Sequence, residues 1–386
     1  MIVHLFNSGI ISGPETLVLP ALSRSRKDVS VVFLEESRCK DKGREATEYA
    51  RSLGLKTKSI RVRSRIDLEA IKELANVLAK INPKIVHAHD VKASTYLLVA
   101  RKLFSKDAPY RLCSTHHGVR GRTGFKIKLY EKFYVNCVLP FYDLVLTVCS
   151  SDREILTRRG LNPARTAVHL NGIDRKAIDS KEKEHERKKI HVRWGLKDIG
   201  VSEDSVVIGF AGRLSPEKRP DRVIDLVSEL RELKGLPKWD VLIFGSGQLE
   251  ESLKERVREL NLTACVHFMG YRQGLGDEMA GFDVLLSLSQ AEGLPINLLE
   301  AGWAGVPVFV TPVDGVDELV PDNCYGVRVA VDAPPETMAR ELAALLASPE
   351  RRFRLGQALK ERVSQRFSGL AWQTELYKKY AMILDR

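Results

Sequence analysis

The chain has 386 residues, 44% apolar and 29% charged, an ordinary globular balance that excludes disorder over most of its length and predicts about two to three domains. The net charge of +11 is unevenly placed: residues 1–189 carry 37 Lys+Arg against 21 Asp+Glu, and residues 190–386 carry 24 against 29, so +16 faces −5. Such asymmetry points to an anionic partner for the first half, and no apolar run approaches the ~18 to 20 residues that cross a bilayer.

In chain order, the first half alternates short apolar runs with segments of helical spacing. Strands are predicted at 2–6, 29–34, 84–87, 111–115, 144–148 and 166–170, and helices at 15–23, 44–52, 67–80, 93–104, 125–139 and 152–159. Strands that alternate with helices imply right-handed crossovers and a mainly parallel sheet. The pattern breaks at KEKEHERKKIHVR, residues 181–193, read as a solvated helix or linker. It resumes with strands at 206–211, 240–244, 266–269, 283–287 and 307–311, and helices at 221–234, 249–260, 296–304 and 335–346. The expected architecture is α/β, two Rossmann-like domains spanning 1–180 and 190–368, with the amphipathic segment 369–386 returning to the first.

Ligands of such sheets bind beyond the carboxyl ends of the strands, so the loops there carry the chemistry. Neither NSGIISGPE after the first strand nor GSGQLE from Gly245 completes a dinucleotide GxGxxG. No GxxxxGK[ST], HExxH or EF-hand loop occurs, and the six scattered cysteines form no CxxC pair, so no metal cage and no cofactor are inferred. The thiols suit a reducing cytoplasm, and the N-terminus lacks the basic region of a secretory signal.

GRLSPEKRPD sets Arg213, Lys218 and Arg219 beside a predicted helix start, where cations and backbone amides together suit an anion. In SLSQAEGLPINLLEAGWAGVPVFVT, residues 287–311, Glu292 lies in a post-strand loop and Glu300 about one turn into the next helix. The amides of Gly293, Leu294 and Ile296 lie around that helix start, and Pro295 suits its first turn. Two carboxylates flanking a phosphate seat suit a sugar nucleotide, with hydroxyl acceptors at each end and cationic charge in the middle.

EGLPINLLEA, GRLSPEKRPD, FGSGQLEESLK, the FMGY stretch at Met269 and NGID at 171–174 together resemble the retaining GT-B glycosyltransferases of the group-1 (family 4) class, over nearly the whole chain. The resemblance implies two Rossmann-like domains facing a central cleft, an acceptor domain followed by a nucleotide-sugar domain. It makes Arg213 and Lys218 the diphosphate clamp and Glu300 the holder of the ribose hydroxyls. It leaves Glu292 either to hold the donor sugar or to stabilise positive charge at its ring. Gly13, Gly212, Gly245, Gly247, Met269, Gly270 and the 293–296 turn complete the donor set it implies. STHHGVRG matches the family's strand–His–Gly turn, which selects His117 over His116 as the catalytic histidine. Two loops depart from the pattern: Asp314-Gly315, with Glu318 beyond, replaces a common glycine pair, and Ser12-Gly13-Pro14-Glu15 replaces Gly-Gly.

The expected reaction moves a sugar from a UDP- or GDP-sugar to a glycan or lipid-linked acceptor in envelope or exopolysaccharide synthesis, with retention. The donor is a substrate, not a cofactor. Weighed against it are a sugar-nucleotide epimerase or phosphorylase-like enzyme of the same fold, and an inactive nucleotide-sugar-binding protein. A cytoplasmic protein, peripheral on the inner membrane face, is expected. Its basic element has Arg120, Arg122, Lys126, Lys128 and Lys132 interleaved with Phe125, Leu129 and Phe133, and would meet an anionic bilayer. Nucleic acid is not expected, since no recognition module accompanies the charge.

Overall fold

The computed structural model describes residues 1–386 apart from 8–10, 12, 25–27, 38–43, 118–124, 176–181 and 386, and apart from the side chains of 14 and 125–128. It divides into two compact units: Met1–Asp174 with Ser368–Arg386, and Arg175–Phe367.

The first unit is a seven-stranded parallel sheet of β1 (Ile2–Phe6), β2 (Val29–Glu36), β3 (Lys56–Val62), β4 (Ile85–Ala88), β5 (Arg111–His116), β6 (Leu144–Thr147) and β7 (Thr166–Val168), in the order β3-β2-β1-β4-β5-β6-β7. Both faces are covered, so β1 is buried at every position and its side chains divide alternately between two cores. Val3 and Leu5 join one with the helices Leu68–Ile81 and Val91–Phe104. Ile2 and Phe6 join the other with the helices Gly13–Ser23 and Gly369–Leu384. The last of these helices returns to the first unit as its spacing requires: Trp372, Leu376, Tyr380 and Ile383 lie along one stripe and are all buried. Ser368 caps it, and the amide of Gly369 donates to the Ile173 carbonyl at 3.0 Å.

β3 is absent from the sequence reading for a physical reason. It is an edge strand in which only Ile60 and Val62 are buried, and its lysines leave no apolar run to detect. The predicted helix 125–139 is also corrected. The α-helix covers Phe125–Phe133, and the chain then widens to a π turn at Tyr134–Val138 before a 3₁₀ turn at Leu139–Phe141. Tyr134, Val135 and Val138 are thereby buried, and Pro140 sits where a continuing helix would need its amide.

The second unit holds β8 (Val206–Ala211), β9 (Trp239–Phe244), β10 (Val266–Gly270), β11 (Val284–Ser287), β12 (Val308–Val310) and β13 (Val327–Arg328), parallel and ordered β10-β9-β8-β11-β12-β13. The mixed-charge segment forms a helix, as one of its two readings had it, but it is not a free linker. Its helix Lys183–Arg193 is tied into this unit by Lys183 Nζ donating to the Gly305 carbonyl at 2.6 Å and Arg187 donating to Asp283 at 2.8 Å. His191 Nε2 lies 2.7 Å from the Gly281 carbonyl, and the Trp194 indole donates to Glu278 at 2.7 Å. Charge density in the sequence conceals these partners because all of them are distant in the chain.

Candidate functional site

In the second unit the loops at the carboxyl ends of the strands are stacked backbone on backbone. The amides of Gly212 and Leu214 donate to the carbonyls of Phe244 and Ser246, both at 3.0 Å, and the Gly245 amide donates to Gly270 O at 2.8 Å. A Cβ on Gly245 would stand 1.8 Å from the Gly212 carbonyl oxygen, and one on Gly247 2.3 Å from that of Leu214. Gly245 also has φ +139°, so glycine is required there on two counts. Gly212, Gly245 and Gly247, which the family resemblance assigns to the donor set, thus have a prior duty of loop contact. Met269 stands at the β10 register shift between Phe268 and Gly270.

After β8 the chain makes a 3₁₀ turn, Pro216–Lys218, before the helix Pro220–Arg231. The Gln290 amide donates to Glu217 O at 2.9 Å, which brings this turn against the loop after β11. There Lys218 Nζ donates to both Glu292 oxygens, at 2.5 and 2.7 Å, and Ser289 Oγ adds a third donor at 2.7 Å. The Glu292 side chain is only 8% exposed and that of Lys218 20%. Lys218 and Glu292, named separately from sequence, are therefore in direct contact. Arg213 is not part of this contact: it is 62% exposed and pairs with Glu217 at 3.2 Å.

The helix Ile296–Trp303 begins at the predicted residue, but Pro295 is extended and lies outside its first turn, and Asn297 Nδ2 clamps the helix to the Ala211 carbonyl at 2.8 Å. The tie places Gly293, Leu294, Pro295 and Ile296 beside the end of β8. Glu300, one turn in, is buried, which pushes its carboxyl pKa up, and the Arg175 guanidinium at 2.5 Å opposes the shift. Arg175 also pairs with Asp277 at 3.3 Å. Gly276 fits there because a Cβ would lie 2.1 Å from Glu300 Oε1. The departing Asp314 has φ +43° and its carboxylate accepts from the Glu292 amide at 3.4 Å, while a Cβ on Gly315 would meet the Gly293 carbonyl at 1.9 Å. Arg175, Ser289 and Asn297 escape the sequence reading, since only tertiary contact marks them.

Gly13 opens a helix of the first unit; the preceding Ser12 lies outside the described residues. His117 follows β5, and burial, helped by neighbouring His116, lowers its pKa to about 4. Nearby His4, His87 and His89 form the one group among the described residues whose nitrogens lie close enough to share a metal ion, within 4.8 Å. The positions 4, 87 and 89 form no sequence motif. His4 Nδ1 and His89 Nε2 are 2.8 Å apart, and both His87 nitrogens have hydroxyl neighbours, Tyr380 at 2.6 Å and Thr115 at 2.7 Å. These contacts satisfy His87 on both sides and favour hydrogen bonding over ligation.

Residues 196–362 match the family described as Glycosyl transferases group 1, and residues 18–177 match Glycosyltransferase Family 4. The chain is 28% identical to EpsF of Bacillus subtilis over 297 residues, 74% of this chain and 73% of that one. It is 24% identical to the UDP-Gal:alpha-D-GlcNAc-diphosphoundecaprenol alpha-1,3-galactosyltransferase of Escherichia coli, covering 69% and 67%. The crystal structure of Anabaena Alr3699/HepE in complex with UDP-glucose superposes with a TM-score of 0.81 at 18% identity, over 98% and 99% of the chains. With two parallel-sheet α/β units of GT-B type and both family matches in register with them, the chain belongs to the group-1, family 4 glycosyltransferases.

Proposed function

We propose that the chain transfers a sugar from a UDP- or GDP-sugar to a glycan or lipid-linked acceptor, with retention of configuration, in envelope or exopolysaccharide synthesis. The observation that carries this reading is the Lys218–Glu292 contact at the carboxyl ends of β8 and β11. A diphosphate arriving there competes for the ammonium, and Glu292, still held by Ser289, turns to the sugar. As the glycosidic bond breaks, charge grows on the leaving diphosphate, and Lys218, Arg213 and the amides at the start of Ile296–Trp303 stabilise it more than the ground state. That supply of positive charge lets the reaction proceed without a bound metal. The names of two similar proteins support the donor and acceptor classes: HepE is seen with UDP-glucose, and the galactosyltransferase is named for UDP-Gal and a diphosphoundecaprenol carrier.

Calorimetric titration with UDP, GDP and ADP, followed by release of the nucleotide from its sugar, tests the proposal. Binding of none of the three would overturn it. The two glutamates should then separate. Glu300→Ala should raise the donor KM about tenfold with little change in kcat, since ribose contacts are uniform along the reaction and Arg175 keeps Asp277 as partner. Glu292→Ala should depress kcat more than KM. A reversed pattern in steady-state kinetics would refute the assignment.

The lipid-side reading has support in the described part of the basic element. Leu129 and Phe133 are 59% and 44% exposed, so these two side chains do not pack on the sheet. Arg120 and Arg122 lie outside the described residues, as do the side chains of Lys126 and Lys128. Co-sedimentation with anionic vesicles should be strong at low salt and fall on reversal of these four charges, at roughly 1 kcal/mol per cation. Neutral vesicles should bind weakly.

A further inference from the structure

The strand order of the first unit turns at β1 and β4: the helix after β1 packs on one face of the sheet and the helix after β4 on the other. The crevice at such a switch point is where an open α/β sheet takes its ligand. Three polar residues follow the three adjacent strands there, Asn7 after β1, His89 after β4 and His117 after β5. The amide of Asn7 donates to Asp90 Oδ2 at 2.6 Å and that of His89 to Leu5 O at 3.0 Å, which holds the first two strand ends together. The rings of His89 and His117 are 6.1 Å apart.

Among the described residues, each of these three keeps one buried atom with no hydrogen-bond partner: Asn7 Oδ1, His89 Nδ1 and His117 Nε2. His89 is 2% exposed, so its ring has been taken from water without compensation at that nitrogen. Leaving one such atom unpaired is costly, and three on neighbouring strand ends mark a place built for a ligand.

The chemistry of the three atoms narrows that ligand. An amide oxygen accepts, and a neutral imidazole nitrogen accepts or donates according to tautomer, a set that matches hydroxyl groups, which do both. Burial keeps both histidines uncharged near neutral pH, His117 with its pKa at about 4 and His89 well below the usual value. On the Asn7 side lie Asp90, which accepts from the Asn7 amide and whose carboxyl burial raises to about 6, and Glu15, which adds to that rise. An amide oxygen and an uncharged imidazole offer an anion no charge-assisted donor. We infer that Asn7, His89 and His117 form a recess for the hydroxyls of a neutral carbohydrate ring, the acceptor end of the reaction, and that it does not take a phosphorylated ring. The inference rests on the transferase reading above and adds Asn7 and His89 to the residues that touch substrate.

Full-length protein with isotopically labelled histidine, its ring signals assigned with His89→Gln and His117→Gln, provides the test. Methyl α-glucoside, methyl α-galactoside and inorganic phosphate are titrated separately. At least one glycoside should shift the His89 and His117 signals together and saturably, about tenfold more weakly in Asn7→Ala, the loss of one hydrogen bond. Phosphate should leave both in place. Silence of both rings toward both glycosides, equal shifts with phosphate, or wild-type titration of Asn7→Ala would each overturn the recess. Because His89→Gln also loses the contact with His4, Asn7→Ala is the deciding variant. UDP, GDP and ADP titrations of the same samples keep the readings apart: if a nucleotide binds while the rings stay silent, the recess alone fails. If none of the nucleotides binds, the transferase reading fails.

Discussion

Lys218→Ala should lower turnover by about 10²–10³-fold, the loss expected when one preorganised donor to a developing oxyanion is removed. The same change should weaken binding of the free nucleotide diphosphate, because a charge-assisted contact contributes about 1.5–3 kcal/mol. A second effect follows from Glu292. Its carboxylate is nearly buried and loses both ammonium contacts, keeping only Ser289 Oγ and the exposed rim. An uncompensated buried charge destabilises, so the variant should melt below the wild type while remaining folded. Lys218→Ala with Glu292→Gln removes that penalty, and the double variant should melt higher than Lys218→Ala alone while remaining as inactive. Thermal unfolding separates the structural part from the catalytic part, and nucleotide titration checks the phosphate assignment. Wild-type affinity for all three nucleotides in Lys218→Ala would remove this lysine from the clamp. Arg213→Ala should weaken binding without the loss of stability, since its guanidinium is mostly in water.

Gly245→Ala should be the most damaging small substitution in the second unit, at about 3 kcal/mol or more. The new methyl would overlap the Gly212 carbonyl, a backbone atom that moves only by breaking the contacts between the loops after β8 and β9, and the residue would also be strained at φ +139°. Gly235→Ala provides the control. It has φ +78° but nothing within 4 Å of the added methyl, so it should cost only the left-handed penalty of about 1–2 kcal/mol. Urea unfolding of both variants measures the difference. Equal midpoints would show that the loops yield and that the stacking is not what requires glycine. Where the variant folds, nucleotide binding should still suffer, because the same displacement moves the backbone leading from Gly212 to Arg213.

The sequence alone determined the doubly wound class and most strand positions, because parallel strands buried on both faces must be short apolar runs, as in β1, β8 and β11. It also placed Glu300 in the first turns of its helix and Lys218 beside the start of another, since both follow from local spacing. Where burial is one-sided or a partner is remote, the local pattern goes quiet. β3 hides among lysines at a sheet edge, and the helix Lys183–Arg193 reads as solvent-facing although Asp283 and Gly305 hold it. The binding groups divide in the same way. Residue type and motif suffice to nominate Glu292 and Lys218, but only the tertiary structure decides that they touch each other and that Arg213 pairs with Glu217. Nothing in the chain near position 300 announces Arg175. Asn7 and His89 lie 82 residues apart and meet only because β1 and β4 are neighbours in the sheet. Sequence periodicity records which face of an element loses water, whereas an ion pair or a polar recess depends on which elements become neighbours, and that is decided when the sheet assembles.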